Sequence, residues 1–172
     1  MSNLEFQIVP ISEEHIAGYY AAFDAVAREA RYLGRTKAPP IEETTEWVRG
    51  NLRKGVPQFV ALLDGKVVGW CDISPERADT MAHGGVLGMG VIEVHRGKGI
   101  GSALIRATLN RARQAGFTRV ELTVREDNVR AKALYEKLGF VSEGVKRKAT
   151  LFDGKYFDLL LMAILFERSS AS

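Results

Sequence analysis

The sequence contains few cysteines, few histidines and no long apolar run, and each shortage excludes a class of protein. Cys71 is the only cysteine among 172 residues, so no disulfide can form within the chain, and three scattered histidines do not suggest a zinc site. No apolar run approaches the roughly 18 residues that span a membrane. The first ten residues lack a basic region followed by an apolar stretch. We therefore expect a cytoplasmic protein with no bound metal and no membrane partner.

The remaining composition is that of an ordinary globular protein, with 46% hydrophobic and 26% charged residues. The length predicts one domain over residues 1–172, which would bury about 70% of the unfolded surface. The net charge of +3 hides an asymmetry, because residues 95–150 carry 13 Lys and Arg but five Asp and Glu. Such a basic half favours an anionic partner, either a phosphorylated cofactor or nucleic acid, although a solvated helical face is an alternative.

Hydrophobic periodicity and turn signals predict a mixed α/β sheet in the order β-α-α-β-β-β-α-β-α-β-β. Ser12 is a candidate N-cap, and Asp64-Gly65 and Asp153-Gly154 are hairpin turn signals. The predicted strands are 6–10, 59–63, 66–73, 86–94, 119–124, 140–145 and 156–166, and the predicted helices are 13–32, 41–52, 102–115 and 128–138.

A glycine-rich segment, Arg96-Gly97-Lys98-Gly99-Ile100-Gly101, joins a predicted strand to a predicted helix. Glycines allow successive backbone N–H groups to converge on an anion, and the start of a helix adds positive partial charge. Arg96 and Lys98 add full charges, so the segment predicts a phosphate-binding loop, with a plain strand-to-helix turn as the alternative. The spacing matches neither a Walker A loop nor a Rossmann fingerprint.

The loop has the form R-x-x-G-x-G, and residues 128–140 have the form N-x-x-A-x-x-x-Y-x-x-x-G-F. With the element order, these two motifs resemble the GNAT N-acetyltransferase superfamily over nearly the whole chain. The resemblance implies a GNAT fold and an enzyme that takes acetyl-CoA as its acetyl donor. No motif typical of nucleic-acid binding is present, which disfavours a nucleic-acid partner.

The resemblance also implies roles for individual residues. In the family, the strand before the loop bulges and splays from its neighbour, and its backbone binds the pantetheine arm of the cofactor. Gly88 and Gly90 suit such a strand, while Tyr135 matches the general acid that protonates the departing thiolate. Tyr135 is alternatively a packed aromatic residue, and Asn128 is alternatively a helix cap. The cofactor-binding positions implied are Met89, Gly90, Val91, Arg96, Gly97, Lys98, Gly99, Ile100, Gly101, Ser102 and Asn128.

The general base is not evident from the sequence. Where some family members have Glu, this chain has Thr123, which cannot act as a base. Glu126, Asp127 and His83 are nearby alternatives, as is a bound water. Because an α-amine has a pKa near 8 and a lysine amine one near 10.4, the missing Glu favours an α-amino acceptor.

The C-terminal third resembles bacterial enzymes that acetylate free amino acids and similar small amines, including the phosphinothricin type. An amino acid needs a cation for its carboxylate, and Arg31, Arg35 and Arg77 are candidates. Acetylation of protein N-termini or lysines, or a catalytically silent acyl-CoA-binding module, are the alternatives. We also expect a homodimer, since the apolar run 159–166 is a candidate edge strand, with a central strand buried on both faces as the alternative. The resemblance of the C-terminal third to enzymes that acetylate amino acids is carried by Leu122-Thr123-Val124, Asp127-Asn128, Glu143-Gly144, Asp153-Gly154-Lys155-Tyr156, Asp158 and Met162.

Overall fold

A computed structural model describes residues 5–167, which form a seven-stranded sheet in the order β1-β2-β3-β4-β5-β7-β6. The predicted α/β class and element order are confirmed. None of the helices in the described range is long and apolar enough to cross a membrane. The elements are β1 (Gln7–Pro10), α1 (Ile16–Arg28), α2 (Ile41–Lys54), β2 (Gln58–Leu63), β3 (Lys66–Pro75), β4 (Gly84–Val91), α3 (Ile100–Gln114), β5 (Arg119–Arg125), α4 (Val129–Lys137), β6 (Val141–Phe152) and β7 (Lys155–Leu165).

Helices cover both faces of the sheet, and each face has its own apolar core. On one face, α3 and α4 bury residues such as Leu104 and Ile105 against β3, β4, β5 and β7. On the other, α1 and α2 pack around Trp70 of β3, with Tyr19 edge-on to its ring at 5.8 Å. Full burial of each large apolar side chain contributes roughly 1.5–3 kcal/mol, so both cores hold the sheet rigid around any site built into it.

The sheet opens between β4 and β5, its one parallel strand pair in the described residues. Only Gly84–Val86 of β4 pair with β5, opposite Arg119–Glu121. The following residues of β4, 87–91, have no partner on β5, although their pairing with β3 continues to Val91. The two strands therefore diverge toward the end of β4 that leads into the glycine-rich loop, as the family resemblance implies.

The first helix ends earlier than its apolar pattern predicts. It begins with a single turn of 3-10 helix, Glu13–His15, and its α-helical part ends at Arg28 rather than at residue 32. Ala30 has a φ of 49°, which lies in the left-handed region and is incompatible with continuing the helix. The residues after Arg28 are thereby released to form the connection to α2.

The expectation that residues 159–166 form an edge strand is wrong. β7 pairs with β5 on one side and with β6 on the other, so it is an internal strand and β6 is the edge. The tight turn at Asp153-Gly154, with φ of 49° and 70°, makes β6 and β7 neighbours, and the pairing of β7 with β5 leaves β6 on the outside. Apolar residues on both faces of β7 reflect an internal position in the sheet, which is the alternative reading of such a run.

Candidate active site

The glycine-rich loop has the backbone geometry of an anion cradle. Gly97 and Gly99 have φ of 78° and 83°, a region that residues with a Cβ adopt only at a cost. Gly99 is the N-cap of α3, which begins at Ile100. The N–H groups of the first turn of a helix have no partner within the helix, so α3 presents unpaired donors and the positive end of its dipole at the loop.

A cleft of about 550 Å³ follows the opening between β4 and β5. Its walls come from both faces of the sheet: the end of α1 and the connection after it, the end of β4, the glycine-rich loop, and α4. All but one of the site residues predicted from the sequence line this cleft: Met89, Gly90, Val91, Arg96, Gly97, Gly99, Ile100, Gly101, Ser102, Asn128 and Tyr135.

The two loop cations have partners that the sequence did not reveal. The guanidinium of Arg96 donates to both carboxylate oxygens of Glu29, at 2.9 and 2.6 Å, and its Nε donates to the Val91 carbonyl at 2.8 Å. Lys98 is outside the cleft lining and donates from Nζ to the Val94 carbonyl. Arg96 therefore ties the loop to the end of α1, and its charge is already balanced by Glu29.

A different cation lies against the loop. A Cβ built on Gly97 would be 2.7 Å from Nη2 of Arg130, so this guanidinium lies directly against the loop backbone. Arg130, in the first turn of α4, lines the cleft, and so does Lys137, two turns further along the same helix. Arg130 occupies an unspecified position of the N-x-x-A motif, so the sequence pattern alone did not select it.

The expected bulge in β4 is absent from its pairing with β3. The register runs without a shift from Gly69↔Val91 to Pro75↔Gly85. Gly90 serves packing instead: a Cβ there would lie 2.3 Å from the Trp70 ring, so only glycine fits at this position. The divergence of the strands thus comes from β5 leaving β4, while β4 itself stays regular.

Asn128 and Tyr135 each combine a structural role with a position in the cleft. Asn128 caps the helix, because its Oδ1 accepts from the Ala131 N–H at 3.2 Å, and it also lines the cleft. Tyr135 is buried and packs edge-on against Phe140, with ring centroids 5.8 Å apart, yet it too lines the cleft. Burial, with a smaller contribution from the Cys71 thiol, raises the pKa of Tyr135, so its phenol stays protonated at neutral pH.

The candidate bases named from the sequence do not line this cleft. Arg125 donates to both carboxylate oxygens of Asp127, at 2.6 and 2.7 Å, and holds the pKa of Asp127 low, which makes it a poor base. Glu126 accepts from the Asp158 N–H. His83 precedes β4 at the end that is still paired with β5, roughly 23 Å of strand away from Gly90. Thr123 is exposed on β5.

Of the three arginines considered for an acceptor carboxylate, Arg31 alone lines the cleft; Arg35 and Arg77 do not. Arg31 lies over the Tyr32 ring at 5.3 Å, and Arg125 lies over the same ring at 5.5 Å. Tyr32 and Leu33, which line the cleft beside Arg31, carry no sequence motif. Within residues 5–167 no cluster of three His, Cys, Asp or Glu side chains is arranged to hold a metal ion.

Comparison with known proteins agrees with this geometry. The model of the acetyltransferase (GNAT) family matches residues 19–140. An L-amino acid N-acetyltransferase of Escherichia coli is 36% identical over 112 residues, covering 64% of this chain and 69% of that protein. Two crystal structures share the fold over nearly their whole lengths. A ribosomal-protein-alanine N-acetyltransferase from Brucella melitensis has a TM-score of 0.87 at 24% identity, covering 93% of this chain and 99% of that one. A phosphinothricin acetyltransferase from Sinorhizobium meliloti, in complex with acetyl-CoA, has a TM-score of 0.88 at 20% identity, covering 97% and 92%.

Proposed function

The chain belongs to the acetyltransferase (GNAT) family, and from this we propose that it transfers the acetyl group of acetyl-CoA to the primary amine of a small molecule such as an amino acid. The observation that carries the proposal is the cleft along the β4–β5 opening, which begins at an anion cradle and contains a buried phenol. The 36% identical relative, an L-amino acid N-acetyltransferase, supports the choice of acceptor.

The donor would lie along β4. The N–H groups of Gly97–Gly101 and the start of α3 suit the pyrophosphate, with Arg130 adjacent to supply positive charge. The backbone of Met89–Val91, unpaired on the β5 side, is free to bind the pantetheine arm, and an N–H there would polarise the thioester carbonyl. Asn128 lines the cleft at the start of α4.

The transfer itself would be a direct attack in a ternary complex. The amine nitrogen bonds to the thioester carbonyl carbon, the C–S bond breaks, and the CoA thiolate leaves with the bonding electron pair. Tyr135 donates its proton to that thiolate and recovers one from solvent or from the reacting ammonium. Over the whole reaction an ammonium loses two protons, one to the CoA thiol and one to solvent.

The acceptor would approach through the part of the cleft formed by the connection after α1. Arg31 would bind the carboxylate of an amino acid there, because its guanidinium is held over Tyr32 and faces the cleft. A protein N-terminus offers an α-amine but no adjacent free carboxylate. Arg31 therefore favours the free amino acid over a protein acceptor.

We expect acetyl-CoA-dependent release of free thiol with at least one amine in a panel of the twenty amino acids, short peptides and a lysine-containing protein. Turnover of free amino acids, absent with the corresponding amides, supports the proposal and the carboxylate-binding role of Arg31. Turnover of peptides or protein lysines alone contradicts the amino-acid acceptor. Binding of acetyl-CoA without turnover of any amine identifies a silent acyl-CoA-binding module.

We also propose that the protein forms a homodimer, with β6 in place of β7 as the pairing edge. β6 is one of the two edge strands of the sheet, with β1 at the other edge, and it exposes Val141, Val145, Leu151 and Phe152. Light scattering at micromolar concentration is expected to give about 38 kDa, twice the 19.0 kDa of the chain. Val145→Glu is expected to shift the mass toward the monomer, because it places charge on an exposed apolar edge. A monomeric mass for the unsubstituted protein contradicts the dimer.

A further inference from the structure

Asp72 of β3 is a buried carboxylate that no motif marks and no step described above uses. Its side chain is only 7% exposed. Within residues 5–167 it accepts one side-chain hydrogen bond, from Ser74 Oγ at 3.3 Å, and forms no ion pair. Removing a carboxylate from water is costly unless it is paired or neutralised, so a lone buried carboxylate is an uncommon arrangement.

The position of Asp72 relates it to the cleft. Asp72 is the cross-strand partner of Gly88 on β4, and Trp70 is the partner of Gly90 on the same face. A Cβ built on Gly88 would be 3.6 Å from Oδ1 of Asp72, so the carboxylate lies directly over the β4 backbone. The next residues of β4, Met89 and Gly90, line the cleft. Asp72 itself is not among the residues that line the cleft. Its carboxylate lies beside the strand that would bind the thioester, on the α1 side of the sheet, so an acceptor has to reach one residue beyond Met89 to contact it.

Among residues 5–167, the groups that face Asp72 include no cation. From β2, its cross-strand partner Gln58 is buried, and Nε2 of that amide has no hydrogen-bond partner within the described range. From α1, Tyr19 is buried, and burial together with the charge of Asp72 raises the Tyr19 pKa, so this phenol is neutral. From β4 only Gly88 is opposite, and on β3 itself Ser74 is neutral. An acceptor ammonium would supply the positive charge that this carboxylate lacks.

We propose that Asp72 is a catalytic residue that binds the ammonium group of the acceptor and accepts its proton. The inference rests on the proposed acetyl transfer. The N–H bond of the ammonium breaks, its electron pair stays on nitrogen, and the proton passes to Oδ of Asp72. The neutral amine then attacks the thioester carbon, and Asp72 returns the proton to solvent after the product leaves.

The ionisation of Asp72 agrees with this geometry. Burial raises its pKa to about 7, against a smaller lowering by the hydrogen bond from Ser74. A base whose pKa lies near the working pH combines a substantial ionised fraction with useful basicity. Asp127, held at low pKa by Arg125, has the opposite property.

The test compares Asp72→Asn with the unsubstituted protein, using the best amine from the panel. We expect kcat/KM for the amine, at saturating acetyl-CoA, to fall at least 100-fold, with unchanged acetyl-CoA affinity by calorimetry. The acid limb of the pH profile, near pH 7 in the unsubstituted protein, should disappear. Ser74→Ala removes the hydrogen bond that stabilises the ionised form, so its acid limb should move to higher pH. Asp64→Asn, in the exposed β2–β3 turn, is the matched control and should leave the profile unchanged.

The outcomes separate the two proposals. If the unsubstituted protein binds acetyl-CoA but acetylates no amine, the proposed function fails and the role of Asp72 fails with it. If the protein is active and Asp72→Asn retains more than a third of kcat/KM, only the role of Asp72 is wrong. If Asp72→Asn does not bind acetyl-CoA, the Ser74→Ala profile decides: an unmoved acid limb overturns the inference.

Discussion

Tyr135→Phe is expected to lower kcat by about 10²- to 10⁴-fold, which corresponds to roughly 3–5 kcal/mol of activation free energy. The substitution removes the phenolic proton and keeps the ring, which packs edge-on against Phe140. Burial raises the pKa of Tyr135, and a CoA thiolate formed in the same cleft would also be less well solvated, and hence more basic, than in water. Because the pKa of the phenol and the pKa of the CoA thiol rise together, proton transfer from the phenol to the thiolate remains feasible.

Single-turnover kinetics, with chemistry rate-limiting, is the measurement that checks this loss. Acetyl-CoA affinity should change little, since the glycine-rich loop is untouched. Tyr156→Phe, on a half-exposed tyrosine of β7, is the matched control and should behave like the unsubstituted protein. If folded Tyr135→Phe retains more than a tenth of kcat, Tyr135 is a packed aromatic residue and the proton comes from another group.

Gly101→Leu is expected to abolish acetyl-CoA binding. A Cβ at Gly101 would contact Leu134 Cδ2 and Met89 Cε at 3.4 Å each, so a methyl group just fits, while a longer side chain would occupy the cleft. A ligand at 100 times its Kd stabilises a protein by about 2.7 kcal/mol, which for a chain of this size raises Tm by about 5–10 °C. We expect this shift with acetyl-CoA in the unsubstituted protein, and none in Gly101→Leu.

Gly101→Ala is the matched control, since it adds one methyl group at ordinary contact distance and should keep most of the shift. Gly101 is a better position for this test than Gly99, because the φ of 83° at Gly99 would add backbone strain to any substitution. A full shift in Gly101→Leu would contradict the position assigned to the cofactor. A shift with ATP or NAD, but none with acetyl-CoA, would contradict its identity.

Features determined by neighbouring residues could be predicted from the sequence. The loop of Gly97 and Gly99, the cap at Asn128 and the turn at Asp153-Gly154 depend on local backbone conformation, and the structure has each of them. The element order follows from hydrophobic periodicity in the same way. The other cleft residues named from the sequence, such as Met89–Val91 and Tyr135, came from the family resemblance.

Features determined by distant residues could not be predicted. Glu29 and Arg96 are 67 positions apart, and nothing in either segment indicates that they pair. The apolar run of β7 fits both an edge strand and an internal strand, and only its pairing with β5 and β6 shows that it is internal. Asp72 does leave a trace, because it is the one acid within the apolar stretch 67–73. Only the fold reveals that Gly88 is opposite and that no cation of the described part of the chain faces it.

The divergence of β4 and β5 has a consequence for how the chemistry can diversify. A closed sheet would isolate its two faces, whereas here one cleft has walls from α4 on one face and from the connection after α1 on the other. The donor would depend on β4, the loop and α4, and the acceptor mainly on residues 29–40, most of which lie outside regular secondary structure. Glu29, which holds Arg96, and the apolar Leu33 and Ala38 are constrained. Substitutions elsewhere in that connection can change which amine is accepted while leaving the donor machinery and both apolar cores intact, so new specificities can arise at little cost in folding stability.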